Sequence, residues 1–220
     1  KDVTQKAWSY LHGNYVGELT KECIARETCW ETITFLNYIL SNYPKSDWGQ
    51  SIFSDSVRSK MLGFSFKHWR EHSPYLKGYL ALTLKRVGRS ADAKLVWDSV
   101  MDSAKYSRDE GTHWAREDRS WLWYNDSIET HAFALRTLME LGTESDKSDF
   151  TKRDGLVQWL FLNKKLNHWK STRATAEVIY SLAHYLEKTN QLGARESVQI
   201  EMGNEKPIAL DFSPDTYTGK

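Results

Sequence analysis

Hydrophobic residues recur every three or four positions from about residue 4 to residue 192, and this spacing predicts one helix after another. The clearest helix follows Ser73 and Pro74, a capping residue and a first-turn proline. It ends before Gly88, a residue type that suits the position just past a helix. Its apolar residues cover most of its circumference, so we expect burial on nearly all sides. They are Leu76, Tyr79, Leu80, Leu82, Leu84 and Val87.

Helices with a single apolar face alternate with such largely apolar ones. One starts at Ser90 and another spans residues 149–163, and each is expected to have one face in water. The residues predicted to face inward are Ala93, Val96, Trp97, Val100 and Ala104 in the first helix, and Leu156, Val157, Leu160 and Phe161 in the second.

Two further helices carry their own start signals. Asp126, with Glu129 three residues later, resembles a capping box, and the helix after it ends at Gly142. Ser171 or Thr172 caps the other helix, which is rich in small and apolar residues. We expect both helices to be buried.

Three of the predicted buried helices superimpose without gaps, at offsets of 56 and 44 residues. Each offset is about the length of a helical hairpin with its loops, so the chain repeats a supersecondary unit. Helices that are apolar nearly all round favour a ring, whose inner layer contacts both neighbours and the outer layer. The predicted fold is therefore mainly α, an α/α toroid made of a partial or complete ring of hairpins. The rows in register are Leu76, Ala132 and Ala176; Tyr79, Leu135 and Ile179; and Leu82, Leu138 and Leu182.

The two ends of the chain carry weaker or different patterns. Helical spacing is less regular over TQKAWSYL, over ETITFLNYILSNY and over residues 54–68. After about residue 194, Val198, Ile200 and Met202 alternate with polar residues, which predicts a strand that leaves the helical body. We therefore divide the chain into a helical domain, residues 1–193, and a short β segment, residues 194–220.

The composition excludes two classes of partner. Thirty basic and twenty-nine acidic residues, interspersed along the chain, give a formal charge of +1, without the basic patch typical of nucleic-acid binding. No run of about eighteen apolar residues is present that could span a membrane. The chain begins at Lys1 without a methionine or a signal-peptide pattern, so we expect it to be a piece of a longer protein.

Cys23 and Cys29 are the only cysteines, too few for the dense framework of a small secreted domain. If residues 21–42 form one helix, the six-residue offset places the two side chains on different faces. We therefore expect two buried thiols and no disulfide between them.

Four short blocks stand out in the second half of the chain. They are Trp123-Tyr124, Ile128-Glu129-Thr130-His131-Ala132, Trp159-Leu160 and Trp169-Lys170-Ser171-Thr172-Arg173-Ala174-Thr175-Ala176. In type and order they resemble the thioester domain of the alpha-2-macroglobulin and complement superfamily, and most of all that of bacterial alpha-2-macroglobulin-like proteins. The resemblance covers residues 65–202 well and residues 4–64 weakly.

This resemblance implies an α/α toroid followed by a return strand of a neighbouring CUB-like β domain. It also implies that the parent protein is a broad-spectrum endopeptidase inhibitor that traps proteases after they cut a bait segment elsewhere. The domain would be a non-enzymatic structural and interaction module in the periplasm, the cell envelope or the medium. Its partners would be the other domains of the same chain and, through them, the target proteases.

The chain departs from that family at its reactive centre, a Cys-x-Glu-Gln thioester. Neither Cys23 nor Cys29 is followed by this motif. Either the thioester-bearing hairpin lies upstream of Lys1, or this lineage lacks one, and the present chain does not trap a protease covalently.

The segment HWREH, residues 68–72, fits the inverted zinc-protease pattern, in which His68 and His72 hold zinc and Glu71 is the general base. Ser73-Pro74 follows at once, and residues just before a proline avoid the α region. We therefore expect His72 to lie outside the helix that the motif requires, and we assign no metal site.

Several other residues allow a chemical and a structural interpretation. Asp126 and Glu129 could form the carboxylate pair of a glycosidase, or cap their helix. His131 could face a central cavity as a base, or be a hydrogen-bonded core residue. Ser171, Thr172 and Thr175 beside Arg173 could bind an anion, or cap and pack a helix start. Trp69, Trp123 and Trp169 could stack on a sugar, or separate successive helices at hairpin corners.

We favour the structural interpretation in each case, and we assign no catalytic, cofactor-binding, metal or thioester residue and no cofactor. Two other functions stay open. One is an α/α-toroid enzyme acting on polysaccharide or isoprenoid substrates, and the other is a helical repeat scaffold that binds a peptide.

Overall fold

The computed structural model describes residues 2–13, 19–43, 53–115, 122–142, 147–189, 196–201, 203 and 207–212. Within these residues it is mainly helical, with two small antiparallel sheets. The helices are α1 (Asp2–Leu11), α2 (Leu19–Ala25), α3 (Trp30–Ser41), α4 (Asp55–Lys67), α5 (Pro74–Arg86), α6 (Ser90–Met101), α7 (Ser127–Leu141), α8 (Lys147–Leu162) and α9 (Thr172–Lys188). The strands are β1 (Lys105–Ser107), β2 (Gly111–His113), β3 (Glu196–Ile200) and β4 (Ile208–Phe212).

The helices pack as a row with a second layer on one side. Helices α3, α5, α7 and α9 form the row, each in contact with the next, and α4, α6 and α8 pack on α3, α5 and α7. This arrangement confirms the mainly α prediction and the short β segment after the helices. Each of α5 and α7 has a second-layer partner, whereas α9 has none among the described residues. Closure of the row into a ring stays a prediction.

Two apolar clusters explain why α5 and α7 are apolar nearly all round. The larger cluster lies between the row and the second layer and includes Leu84, Trp97 and Leu135. The smaller one packs on another side of the row through Tyr75, Leu76, Tyr79, Leu82 and Phe133. A helix held between two apolar clusters has little circumference left for polar side chains.

The predicted helix starts are confirmed. The Ser73 hydroxyl accepts a hydrogen bond from Leu76 N at 3.4 Å, and the Ser171 hydroxyl accepts one from Ala174 N at 3.1 Å. Asp126 Oδ1 accepts from Glu129 N at 3.1 Å. These bonds satisfy backbone donors that have no partner within the first turn of a helix.

The prediction that α9 is buried all round is wrong. It packs on α7 through a single face of Ala174, Val178, Ser181 and Tyr185. Ala176 is exposed and Ile179 keeps 56% of its surface in contact with water, although their counterparts in α5 and α7 are buried. The physical reason is position: α5 and α7 have row neighbours on both sides, whereas no described row helix lies beyond α9. Phe161 and Val87, also predicted to be buried, are exposed.

The three corner tryptophans are not equivalent. Trp169 is buried, Trp69 is half-buried, and Trp123 keeps 36% of its surface exposed. Trp69 lies against the cations of Arg70 and Lys77, whereas Trp123 packs against Phe35. Only Trp169 therefore fills the buried corner position that we expected of all three.

The prediction of two free thiols is also wrong, because Cys23 and Cys29 form a disulfide, with Cα atoms 5.6 Å apart. The helix assumed over residues 21–42 is broken: α2 ends at Ala25 and α3 begins at Trp30. In the turn between these two helices, Glu27 and Cys29 adopt positive φ angles of 53° and 57°. This turn brings the two cysteines within the separation that a disulfide requires.

The C-terminal segment is a hairpin and not a single strand. Strands β3 and β4 pair antiparallel, with Val198 opposite Leu210 and Ile200 opposite Ile208. Because alternate residues of a strand share a face, these four apolar side chains lie on one side of the hairpin. All four are 39–47% exposed.

A second hairpin, β1–β2, was not predicted from the sequence. It packs against α8 where two glycines meet, Gly111 on β2 and Gly155 on α8. A Cβ atom on Gly155 would lie 2.7 Å from the backbone nitrogen of Thr112. Gly155 therefore allows a strand backbone to approach a helix backbone more closely than any other residue would.

Replacement of Gly155 by alanine should lower the free energy of unfolding by about 1–3 kcal/mol, because the added methyl group forces α8 and β2 apart. Gly63 on α4 is the matched control, since a Cβ there meets nothing within 4 Å. Gly63→Ala should raise the stability by about 0.5–1 kcal/mol through helix propensity. Urea denaturation followed by circular dichroism measures both, and equal effects of the two substitutions would contradict the close contact.

Candidate functional site

The four sequence blocks come together where the starts of α7 and α9 meet the end of α8. Trp169 Nε1 donates to the carbonyl of Leu160 at 2.7 Å, and Trp169 N donates to Thr175 Oγ1 at 3.0 Å. Lys170 Nζ reaches Asp126 Oδ2 at 2.6 Å. These bonds join the third and fourth blocks to each other and the fourth block to the start of α7, and we call this region the block junction.

The strongest link in the block junction joins Glu129 of α7 to Arg173 of α9. Arg173 Nε donates to Glu129 Oε1 at 2.7 Å, and Arg173 Nη2 donates to Glu129 Oε2 and, at 2.6 Å, to the carbonyl of Trp123. Only 4% of the Glu129 side chain is exposed, and its carboxylate raises the pKa of Arg173. A two-pronged guanidinium–carboxylate pair fixes both the distance and the orientation of the two helices.

This link corrects one sequence-based expectation. Glu129 does not reach back to the start of its own helix as a capping box requires, because its carboxylate is bound by Arg173. Only the Asp126 half of the box is present. Asp126 and Glu129 each have a cationic partner, so neither carboxylate is set apart as the acid of a glycosidase pair.

His131 is a fully hydrogen-bonded core residue. Its Nδ1 donates to the carbonyl of Ser127 at 2.6 Å, and its Nε2 accepts from Trp114 N at 3.1 Å, which fixes the neutral tautomer. The ring stacks on Trp159 at 3.6 Å between centroids. Burial lowers the pKa of His131 to about 4. Both ring nitrogens are occupied, so the geometry favours the structural interpretation over a catalytic base.

The HWREH segment does not form a metal-binding helix. His68 follows the end of α4, residues 69–71 form a 3₁₀ turn, and His72 is extended, with ψ at 140°. His72 Nε2 hydrogen-bonds Thr34 Oγ1 at 2.7 Å, and burial lowers the pKa of His72 to about 4. Among the described residues, no group of three or more His, Cys, Asp or Glu side chains is placed to hold a metal ion.

The geometry of Ser171 and Thr175 favours the structural interpretation over an anion nest, because both hydroxyl groups make hydrogen bonds within the protein. The Ser171 hydroxyl caps α9, and Thr175 Oγ1 donates to the Ser171 carbonyl while accepting from Trp169 N. Arg173 points to Glu129. These polar groups therefore hold the helix start and its neighbours in place.

A second polar cluster, which the sequence did not reveal, lies beside the aromatic side of the row. Arg136 on α7 pairs with Glu177 on α9 at 3.1 Å, and its guanidinium lies between the rings of Phe133 and Tyr180. Burial raises the pKa of Glu177 despite the nearby cation. The two residues of this pair are 41 positions apart in sequence, and no local sequence pattern predicts such a contact.

Two tyrosines are buried next to this cluster. Tyr79 OH donates to Tyr75 OH at 2.9 Å, and Tyr38 stacks on Tyr79 with ring centroids 4.3 Å apart. Burial raises the pKa of Tyr79 to about 12 and also raises that of Tyr75. The hydroxyl groups are therefore held neutral, as hydrogen-bonding members of an aromatic core.

Comparison with known proteins adds no family assignment, since no model of a known protein family matches the chain and no curated protein matches it. Within the residues that the structure describes, no helix is both long and apolar enough to cross a membrane.

Replacement of Arg173 by alanine should lower the free energy of unfolding by about 2 kcal/mol, because it leaves the buried Glu129 carboxylate without its cation. Lys94→Ala is the matched control, since Lys94 and Asp98 form an exposed ion pair whose loss should cost less than about 0.5 kcal/mol. Urea denaturation measures both. The double variant with Arg173→Ala and Glu129→Gln should recover part of the lost stability. If Arg173→Ala and Lys94→Ala lower the free energy of unfolding equally, the Glu129–Arg173 link is contradicted.

Acidification should destabilise the protein between pH 6.5 and about pH 4. The pKa of His131 is lower in the folded chain than in the unfolded chain, so the unfolded chain takes up the proton first as the pH falls. The expected loss from pH 7 to pH 5 is about 2 kcal/mol for His131 and a similar amount for His72. His131→Gln should reduce the measured pH dependence of urea unfolding by about half. His168→Gln, which removes an exposed imidazole, should not, and equal effects would contradict this account.

Proposed function

We propose that this chain is a non-enzymatic helical module of a bacterial alpha-2-macroglobulin-like protease trap, a broad-spectrum endopeptidase inhibitor. The observation that carries the proposal is the block junction. The residues that resemble the family bond to one another through Glu129 with Arg173 and through Trp169 with the Leu160 carbonyl, and Lys170 pairs with Asp126, which lies between the first two blocks. Because these polar side chains bond to other helices of the same chain, they support a role in holding the helices together.

The disulfide supports a location in the periplasm, the cell envelope or the medium. Disulfides persist in oxidising compartments and are rare in the cytosol. The bond between Cys23 and Cys29 also uses both cysteines of the sequence, so neither is a free thiol. Covalent capture of a protease is therefore not the role proposed for these residues.

Two exposed apolar surfaces support partners within the same parent protein. One is the outer side of α9, with Ile179, Tyr180 and Leu186, and the other is the face of the β3–β4 hairpin. Neighbouring domains, or further hairpins that complete a toroid, would cover these surfaces in the parent. The domain would then be a rigid body that moves when a protease cuts the bait segment.

The carboxylates weigh against the alternative of a polysaccharide-active enzyme. Asp126, Glu129 and Glu177 each have a lysine or arginine partner within 3.1 Å. A glycosidase pair needs one carboxylic acid and one carboxylate that both face an open sugar site. We keep the structural role as the proposed function.

The test uses the full-length parent protein and endopeptidases of unrelated specificity. Trapping should suppress the hydrolysis of a large protein substrate while a small peptide substrate is still cleaved, because only the small substrate reaches an enclosed protease. The isolated chain should change neither rate. In the parent protein, Arg173→Ala should weaken trapping, whereas Lys94→Ala should not.

Three results would contradict the proposal. The isolated chain could inhibit a protease by itself, it could take up radiolabelled methylamine, or it could release reducing sugars from a polysaccharide. Each would assign to this chain a chemistry that a purely structural module lacks.

A further inference from the structure

The outer side of α9 carries a row of small and apolar residues that are exposed to water, and we call it the outer seam. Its members recur at alternating intervals of four and three positions, which is the spacing by which helices pack in a coiled coil. At 3.6 residues per turn, the outer seam lies roughly 150° around the helix from the stripe that packs on α7. The outer seam consists of Thr172, Ala176, Ile179, Ala183 and Leu186, all of them exposed.

The outer seam contains no charged residue, but one cation and one anion lie beside it. Arg173 is in the first turn of α9 and Glu187 in the last, and their side chains are 56% and 75% exposed. Both lie on the same flank of the helix, about 21 Å apart. Arg173 Nε and Nη2 bond within the block junction, whereas Nη1 makes no hydrogen bond to a described residue. One nitrogen of the guanidinium can therefore donate to an acceptor from outside.

We propose that the outer seam binds the outer seam of a second copy of this chain, with the two α9 helices antiparallel. A twofold axis between the helices would place Ala176 opposite Leu186 of the second copy. The same axis would place Ile179 opposite Ala183 of the second copy. Each layer of the contact then joins a small residue to a large one, and this alternation lets two helices interdigitate closely.

The flanking charges favour this antiparallel alignment. It brings Arg173 to Glu187 of the second copy at both ends of the pair, so that opposite charges meet. A parallel alignment would set Ala176 against Ala176 of the second copy and leave a gap in that layer. The second copy also supplies the neighbour that α9 lacks, since α5 and α7 contact row helices on both sides. The pairing does not depend on the proposed function, and we expect it when no neighbouring domain covers α9.

Sedimentation equilibrium of the chain measures this pairing. The 17 residues of α9 span about 25 Å, and a contact of that length buries on the order of 1,000 Å², at the low end for a specific interface. We therefore expect a dimer with a Kd on the order of 100 µM. Ala183→Glu should weaken it at least about tenfold, because each copy would bury a carboxylate against Ile179 of the other. Ala91→Glu, at an exposed position of α6, is the matched control and should leave the Kd unchanged.

Introduced cysteines test the orientation, since Cys23 and Cys29 are joined and leave no free thiol. Under mild oxidation, a mixture of the Ala176→Cys and Leu186→Cys variants should form a linked dimer faster than either variant alone. In a parallel pair, each variant alone would be linked faster than the mixture. Glu187→Arg should weaken the pairing about fivefold, because a dimer contains two copies of this exposed ion pair.

Four results would overturn the proposal. The chain could stay monomeric at millimolar concentration, Ala183→Glu and Ala91→Glu could have equal effects, or each cysteine variant could be linked faster alone than in the mixture. The fourth is that Val198→Glu, on the apolar face of the β3–β4 hairpin, weakens the dimer while Ala183→Glu does not, which would assign the association to the hairpin. Circular dichroism confirms that each variant is folded, as expected for substitutions of exposed residues.

Discussion

The burial of α5 and α7 between two apolar clusters is the constraint on which the rest of the structure depends. Residues on opposite sides of α5, such as Leu84 and Tyr75, belong to different clusters. A helix in that position cannot place polar side chains along its length without burying them. Many of the polar interactions therefore lie at helix ends, where backbone donors also need partners, and the Arg136–Glu177 pair is an exception within the helices.

The block junction follows from this constraint. The starts of α7 and α9 are capped by Asp126 and Ser171, and the same short segments supply Glu129, Lys170 and Arg173 for contacts between helices. One stretch of sequence thus ends a loop, starts a helix and fixes its neighbour. Because most polar side chains of this segment bond within the protein, few are available for catalysis or ligand binding. We therefore interpret the resemblance as one of structural role.

The sequence predicts the helix N-caps correctly, whereas it does not predict contacts between distant segments. The caps at Ser73 and Ser171 depend on residues within one turn, so residue type and spacing suffice to predict them. The exposure of Ile179 depends on whether another helix follows in the row, which its own periodicity does not encode. Arg136 and Glu177 look like ordinary charged surface residues until α7 and α9 are packed together. The disulfide was missed because a short turn with positive φ angles divides what looked like one helix.

The β3–β4 hairpin has a consequence for how the chain behaves in solution. Among the described strands it is only two wide, so each strand has one edge whose backbone groups face no neighbour. Unpaired edges are templates on which a further strand can add, and two-stranded sheets gain stability when one does. Concentrated samples of this chain should therefore self-associate edge to edge through residues 196–200 or 208–212, unless a strand from elsewhere occupies that place first.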